Sequence, residues 1–148
     1  MRCVFLCLAL SAGCAEAVSG PHTGLATTVH LSQTSFHLGD SIAVTVTLVN
    51  AADTVQSVIA DPCFGTFVVL STNGQQIGPG TVRDCFTTSP HAVLSPGDSV
   101  SFSEHWNGSM IPRSSAAEFV PPGRYFVRGV LSGLVVDRAQ TVSVDVLP

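Results

Sequence analysis

At 148 residues the chain has room for one domain with a continuous core and not for two. Apolar residues supply 45% of it and charged residues only 11%, so a disordered chain is excluded and the exposed surface has to be built from Ser, Thr, Asn and Gln. Lysine is absent and the formal net charge is −4, which leaves no basic stripe for nucleic acid or for electrostatic capture by an anionic membrane.

Residues 1–17 read as an export signal: Arg2 gives a positive start, residues 3–12 form an apolar run too short to span a bilayer, and small residues follow. Two processing sites compete. Ser11-Ala12-Gly13-Cys14 resembles a bacterial lipobox, which would make Cys14 a lipidated membrane anchor, while Ala15-Glu16-Ala17 fits ordinary signal peptidase. The first is favoured, although the expected leucine sits one place early, at Leu10. Residues 18–24 then form a flexible tether, and the folded domain is expected over residues 25–148.

From residue 25 onward apolar and polar residues alternate with period two, interrupted by turn residues every eight to twelve positions. Strands are predicted at residues 26–32, 41–50, 55–60, 67–72, 91–94, 100–106, 124–131 and 140–146. In the clearest of them Ile42, Val44, Val46 and Leu48 fall on one face, with Thr45 and Thr47 on the other. Leu38-Gly39-Asp40, Asn73-Gly74, Ser95-Pro96-Gly97-Asp98 and Pro121-Pro122-Gly123 supply the turns. Seven or eight short hairpin-connected strands bury their faces only by stacking two sheets, so the expected class is all-β, an immunoglobulin-like antiparallel β-sandwich.

Of five cysteines, Cys3 and Cys7 lie in the signal and Cys14 carries the lipid, leaving Cys63 and Cys85. Outside the reducing cytosol this remainder reads as one disulfide, with metal binding as the weaker alternative. Its closed loop of about 22 residues would contribute roughly 3 kcal/mol by restricting the unfolded chain.

No arrangement of catalytic type emerges. Gly-Asp-Ser-apolar occurs at Gly39 to Ile42 and again at Gly97 to Val100, but the Asp-x-x-His that accompanies the esterase version is missing, and both copies read as turns opening a strand. There is no Gly-x-Ser-x-Gly elbow. His22, His30, His37, His91 and His105 show no metal-ligand spacing, and Glu104 and His105 must point to opposite faces of their strand. Gly78-Pro79-Gly80 lacks the lysine of a phosphate loop, and Asn107-Gly108-Ser109 is a glycosylation sequon only in a host that uses one. The expectation is therefore no enzyme, no metal and no cofactor. Trp106, Tyr125, Phe67 and Phe102 are assigned to the core, since large aromatics dominate burial in a small sandwich.

Residues 35–132 carry an ordered set of features. A strand ends in Asn50, an aromatic strand follows at Phe67, then come the turn Asn73-Gly74-Gln75 with Ile77, and Phe86. The turn Leu94-Ser95-Pro96-Gly97-Asp98-Ser99 leads to Trp106, and Val120-Pro121-Pro122-Gly123-Arg124-Tyr125 runs on to Val127 and Val130. This order resembles the BsuPI-type intracellular proteinase inhibitor family, over about two thirds of the chain. The resemblance implies an immunoglobulin-like sandwich and a protein partner, a protease among the candidates. A Trp-rich stretch found in the family is missing at residues 78–83, where Cys63 and Cys85 bracket the hairpin and a disulfide would replace the lost aromatic packing.

The expected function is that of a non-catalytic binding module of the bacterial cell envelope, periplasmic or on the cell surface as a lipoprotein, with free secretion as the alternative. The presented loop is expected within residues 107–118, at Met110, Ile111, Pro112, Arg113 and Ser114, where the proline stiffens a small, polar stretch. Active proteinase inhibition through this loop is one alternative. A structural adhesion-type domain that recruits a strand at an exposed sheet edge is the other.

Overall fold

The fold is that of a computed structural model, which describes residues 23–59, 67–79, 91–111, 118–130 and 135–148. All the regular elements among them are strands: β1 (Leu25–Leu31), β2 (Ser35–His37), β3 (Ile42–Asn50), β4 (Gln56–Ile59), β5 (Phe67–Leu70), β6 (Gln76–Gly78), β7 (His91–Leu94), β8 (Ser99–Trp106), β9 (Ser109–Met110), β10 (Glu118–Phe119), β11 (Gly123–Gly129), β12 (Arg138–Ala139) and β13 (Thr141–Leu147). The eight strands expected from alternation are β1, β3, β4, β5, β7, β8, β11 and β13. The remaining five have only two or three residues each. Cys14, Cys63 and Cys85 lie outside the described residues, as does the export signal.

Two sheets form the body. The first has the order β12-β1-β3-β8 and the second the order β2-β13-β11-β5-β6, and both are mostly antiparallel. The chain changes sheet between β1 and β2: Leu25–Leu31 pairs with β3, whereas Ser35–His37 runs parallel to β13. That crossing, with β3 and β8 in one sheet and β5 and β11 in the other, is the connectivity of an immunoglobulin-like sandwich.

Alternation dictates the stacking. Ile42, Val44, Val46 and Leu48 turn inward and are at most 1% exposed, and the first three pack in one cluster with Val69, Val127, Val144 and Val146 of the second sheet. Each such burial contributes on the order of 1.5–3 kcal/mol. The sheets approach closely at Gly129, where a Cβ would stand 2.9 Å from Val46 Cγ1, and Thr27 Oγ1 donates a hydrogen bond across the gap to the Gly129 carbonyl at 3.2 Å. A second apolar cluster, of Leu25, Leu48, Val58, Leu94 and Phe102, fills one end beneath the β4–β7 ladder. On the outer face of the first sheet Thr45 pairs with Ser103 at 2.8 Å and Thr47 with Ser101 at 2.7 Å, so a charge-poor sequence keeps that face wet with hydroxyls.

Two details place the aromatic residues. The Tyr125 hydroxyl donates to the Pro121 carbonyl at 2.6 Å, closing the corner before β11 in the manner of a tyrosine corner. Trp106 packs edge-on against Phe36 and Tyr125, with centroids 5.4 and 6.5 Å away. The turn at residues 95–98 is tied by Ser95 N–H donating to the Asp98 carboxylate at 2.9 Å, with Gly97 at φ +84°. The second Gly-Asp-Ser copy is thus a structural turn.

Candidate binding surface at the Trp106 end

The stretch after β8 is built on Trp106. Its ring is buried and its indole N–H donates to the Ser109 carbonyl at 2.9 Å, folding the chain back over the core. Asn107 Oδ1 accepts from Ser109 N–H at 3.2 Å, and Gly108 takes φ +85° beneath Leu38 and Val120. The chain then forms the β9–β10 hairpin, with Met110 opposite Glu118 and Ser109 opposite Phe119. A hydrogen bond from Val120 N–H to the Gly108 carbonyl (2.8 Å) extends the hairpin's ladder, and one from Ile111 N–H to the Ile77 carbonyl (2.7 Å) fastens it to β6.

Register separates the hairpin's two faces. Met110 is turned inward and packs against the main core. Ile111 lies two residues after Ser109, so it shares the other face with Phe119; the two are 45% and 46% exposed, and Leu38 beside the hairpin is 44% exposed. Of the five loop residues singled out in the sequence, Ile111 is presented and Met110 serves as the hairpin's inner anchor. Pro112, Arg113 and Ser114 lie outside the described residues. Phe119 and Leu38 were not singled out. Phe119 could have been: with Val120 read as core, alternation puts its neighbour outside.

The opposite end is where the described chain begins. The Asp137 carboxylate accepts from Thr23 N–H at 3.0 Å and Gly24 N–H at 2.6 Å, while Thr23 Oγ1 donates to the Val135 carbonyl at 2.9 Å. Beside it lies an open pocket of about 220 Å³ lined by Gly24, Leu25, Ala26, Ala51, Asp137 and Arg138. This is smaller than the roughly 300 Å³ at which ligand clefts begin. The span of β8, about 23 Å at roughly 3.3 Å per residue, separates this end from the Trp106 end.

Catalytic geometry is poor among the described residues. Ser41 Oγ stands 3.4 Å from His105 Nδ1, a long contact on the exposed face of the first sheet. No group of three or more His, Cys, Asp or Glu could hold a metal among the described residues. Glu104 faces inward and is 7% exposed, opposite Val44, while His105 faces out. Burial raises the Tyr125 phenol above its ordinary pKa. The Arg124 guanidinium, bidentate on Asp145 at 2.9 and 3.1 Å, holds that carboxyl below the usual range chiefly by hydrogen bonding.

The fold and its hairpin define a small immunoglobulin-like β-sandwich domain. No protein-family model matches the chain, and no curated protein does. Among solved structures it is similar to a β-glucosidase from Erythrobacter marinus (TM-score 0.51, 10% identity, 83% of this chain and 15% of that one). It is also similar to the alkylpurine DNA glycosylase AlkC of Pseudomonas fluorescens (0.47, 14%, 87% and 32%) and to the sporulation control protein Spo0M of Bacillus subtilis (0.44, 10%, 84% and 50%). The chain spans about 15% of the β-glucosidase it matches, and the likeness is one of fold.

Proposed function

We propose that the chain is a non-catalytic interaction module of the bacterial cell envelope, tethered through Cys14 and residues 18–24, that engages a protein partner with the β9–β10 hairpin. One observation carries this reading: Ile111 and Phe119 stand exposed on a rigidly anchored hairpin at the end of the sandwich opposite Thr23. A domain held at Thr23 would turn that hairpin away from the membrane. Exposed apolar side chains on a supported hairpin suit protein recognition, where a few buried aromatic and aliphatic anchors supply most of the affinity.

A photo-crosslinking residue at Phe119 is expected to capture one discrete envelope protein, while the same residue at Val93, exposed at the far end, captures none. Equal labelling from both positions overturns the reading. Cys14→Ser is expected to release the protein from membranes, and retention refutes the lipid anchor. The mature protein is expected to show no free thiol at Cys63 or Cys85 until reduced. The inhibitor reading rests on residues 110–114, which start on β9 and run on in sequence toward β10, and stoichiometric inhibition within a panel of serine and metalloproteases would replace the non-inhibitory reading with it.

A further inference from the structure

The outer faces of the two sheets differ in chemistry. On the first, Thr45, Thr47, Ser101 and Ser103 satisfy one another. On the second, β11 turns Arg124, Phe126 and Arg128 outward, since Tyr125, Val127 and Gly129 are buried, and Val130 follows directly after the strand. Phe126 is paired with Leu70 and Arg128 with Val68 on β5, and Phe126, Leu70, Val68 and Val130 are all half-buried, so they form one apolar strip across two strands. Directly opposed side chains on such strands lie about 5 Å apart, close enough to act as a single surface.

The two arginines on this strip are not equivalent. Arg124 is neutralised by Asp145, its cross-strand neighbour on β13. Arg128 has Thr141 on one side and Val68 on the other, with Phe126 along its own strand and Val130 directly after it, and it forms no ion pair among the described residues. A planar cation framed by apolar and hydroxyl groups is complementary to a carboxylate carried between apolar side chains. Two short strands present on the order of a few hundred Å², well under the roughly 800 Å² per partner of a stable globular interface.

We propose that the β5–β11 outer face, through Val68, Leu70, Phe126, Arg128 and Val130, docks an extended segment of another protein in which an acidic side chain alternates with apolar ones. The carboxylate seats on Arg128 and its apolar neighbours cover Phe126 and Leu70. This surface is separate from the hairpin.

The test is amide chemical-shift mapping of the purified protein titrated with a short synthetic peptide alternating valine and glutamate, against the same peptide with lysine for glutamate. Saturable shifts confined to β5 and β11 are expected with the acidic peptide alone. They should weaken at least tenfold in Arg128→Glu and persist in Ile111→Ser, which keeps this result independent of the hairpin reading. Equal binding of the lysine peptide, no shifts on these strands, or a concentration-dependent dimer of the protein abolished by Arg128→Glu would each overturn the proposal, the last by assigning the face to a second copy. Thr47→Glu, on the other sheet's outer face, serves as the charge control and is expected to change nothing.

Discussion

Asn50 has no exposed surface, yet it is polar, and its hydrogen bonds explain why. Its Nδ2 donates to the carbonyls of Thr54 (2.8 Å) and Leu94 (2.9 Å), and its Oδ1 accepts from Ala52 N–H at 3.0 Å. Asn50→Ala strands the Leu94 carbonyl in a buried site and leaves the part-buried Thr54 carbonyl and Ala52 N–H to find water, so a loss of about 1–3 kcal/mol is expected in denaturant unfolding. Tyr125→Phe removes only the hydroxyl bond to Pro121 and should cost about 1 kcal/mol. Tyr125 is also the one tyrosine of the chain, so phenolate absorbance reads it directly. Burial raises its folded pKa, so its contribution to stability is intact below the unfolded value near 10 and is lost as pH rises through the folded one. The expected titration midpoint lies above 10, and an ordinary midpoint refutes the corner's burial.

At the scale of elements, the long strands were legible because burial on one face leaves a period-two record, as in β3, where buried and half-buried residues alternate from Ile42 to Asn50. β2, β6, β9, β10 and β12 were not, because two or three residues complete barely one period. The sheet change between β1 and β2 left no trace either: Ser32 to Thr34 are ordinary polar residues, and pairing with β13 is decided by packing more than a hundred positions away. Glu104 reads as a surface residue by type but occupies an inward register position, since strand geometry ignores residue chemistry. Gly129 sits where the two sheets leave no room for a side chain. Gly129→Ala would drive a methyl into Val46 and Thr27, and a loss of about 1–3 kcal/mol is expected in the same unfolding measurement.

Across the molecule, the six large apolar residues left exposed among the described residues divide between the two ends, Leu38, Ile111 and Phe119 at one and Val55, Val93 and Val135 at the other. The first end was legible only in part: alternation beside a core Val120 places Phe119 outside, but two-residue strands leave no periodic sign of the hairpin that presents it. The surface ion pair contributes a pH dependence: Asp145, depressed by Arg124, stabilises above its unfolded pKa and ceases to do so as pH falls through the folded one. Asp145→Asn should therefore lower the Tm at neutral pH, with the gap to the parent closing in acid. The parallel pairing of β2 with β13 has a mechanical consequence. Load pulling Thr23 and Pro148 apart runs along both strands in opposite senses, so the bonds from Thr34 to Leu38 that join them are strained together in shear instead of opening one by one. Stretched between those two points, the domain is expected to give way at a higher force than its modest number of rungs suggests, because all of them must break at once.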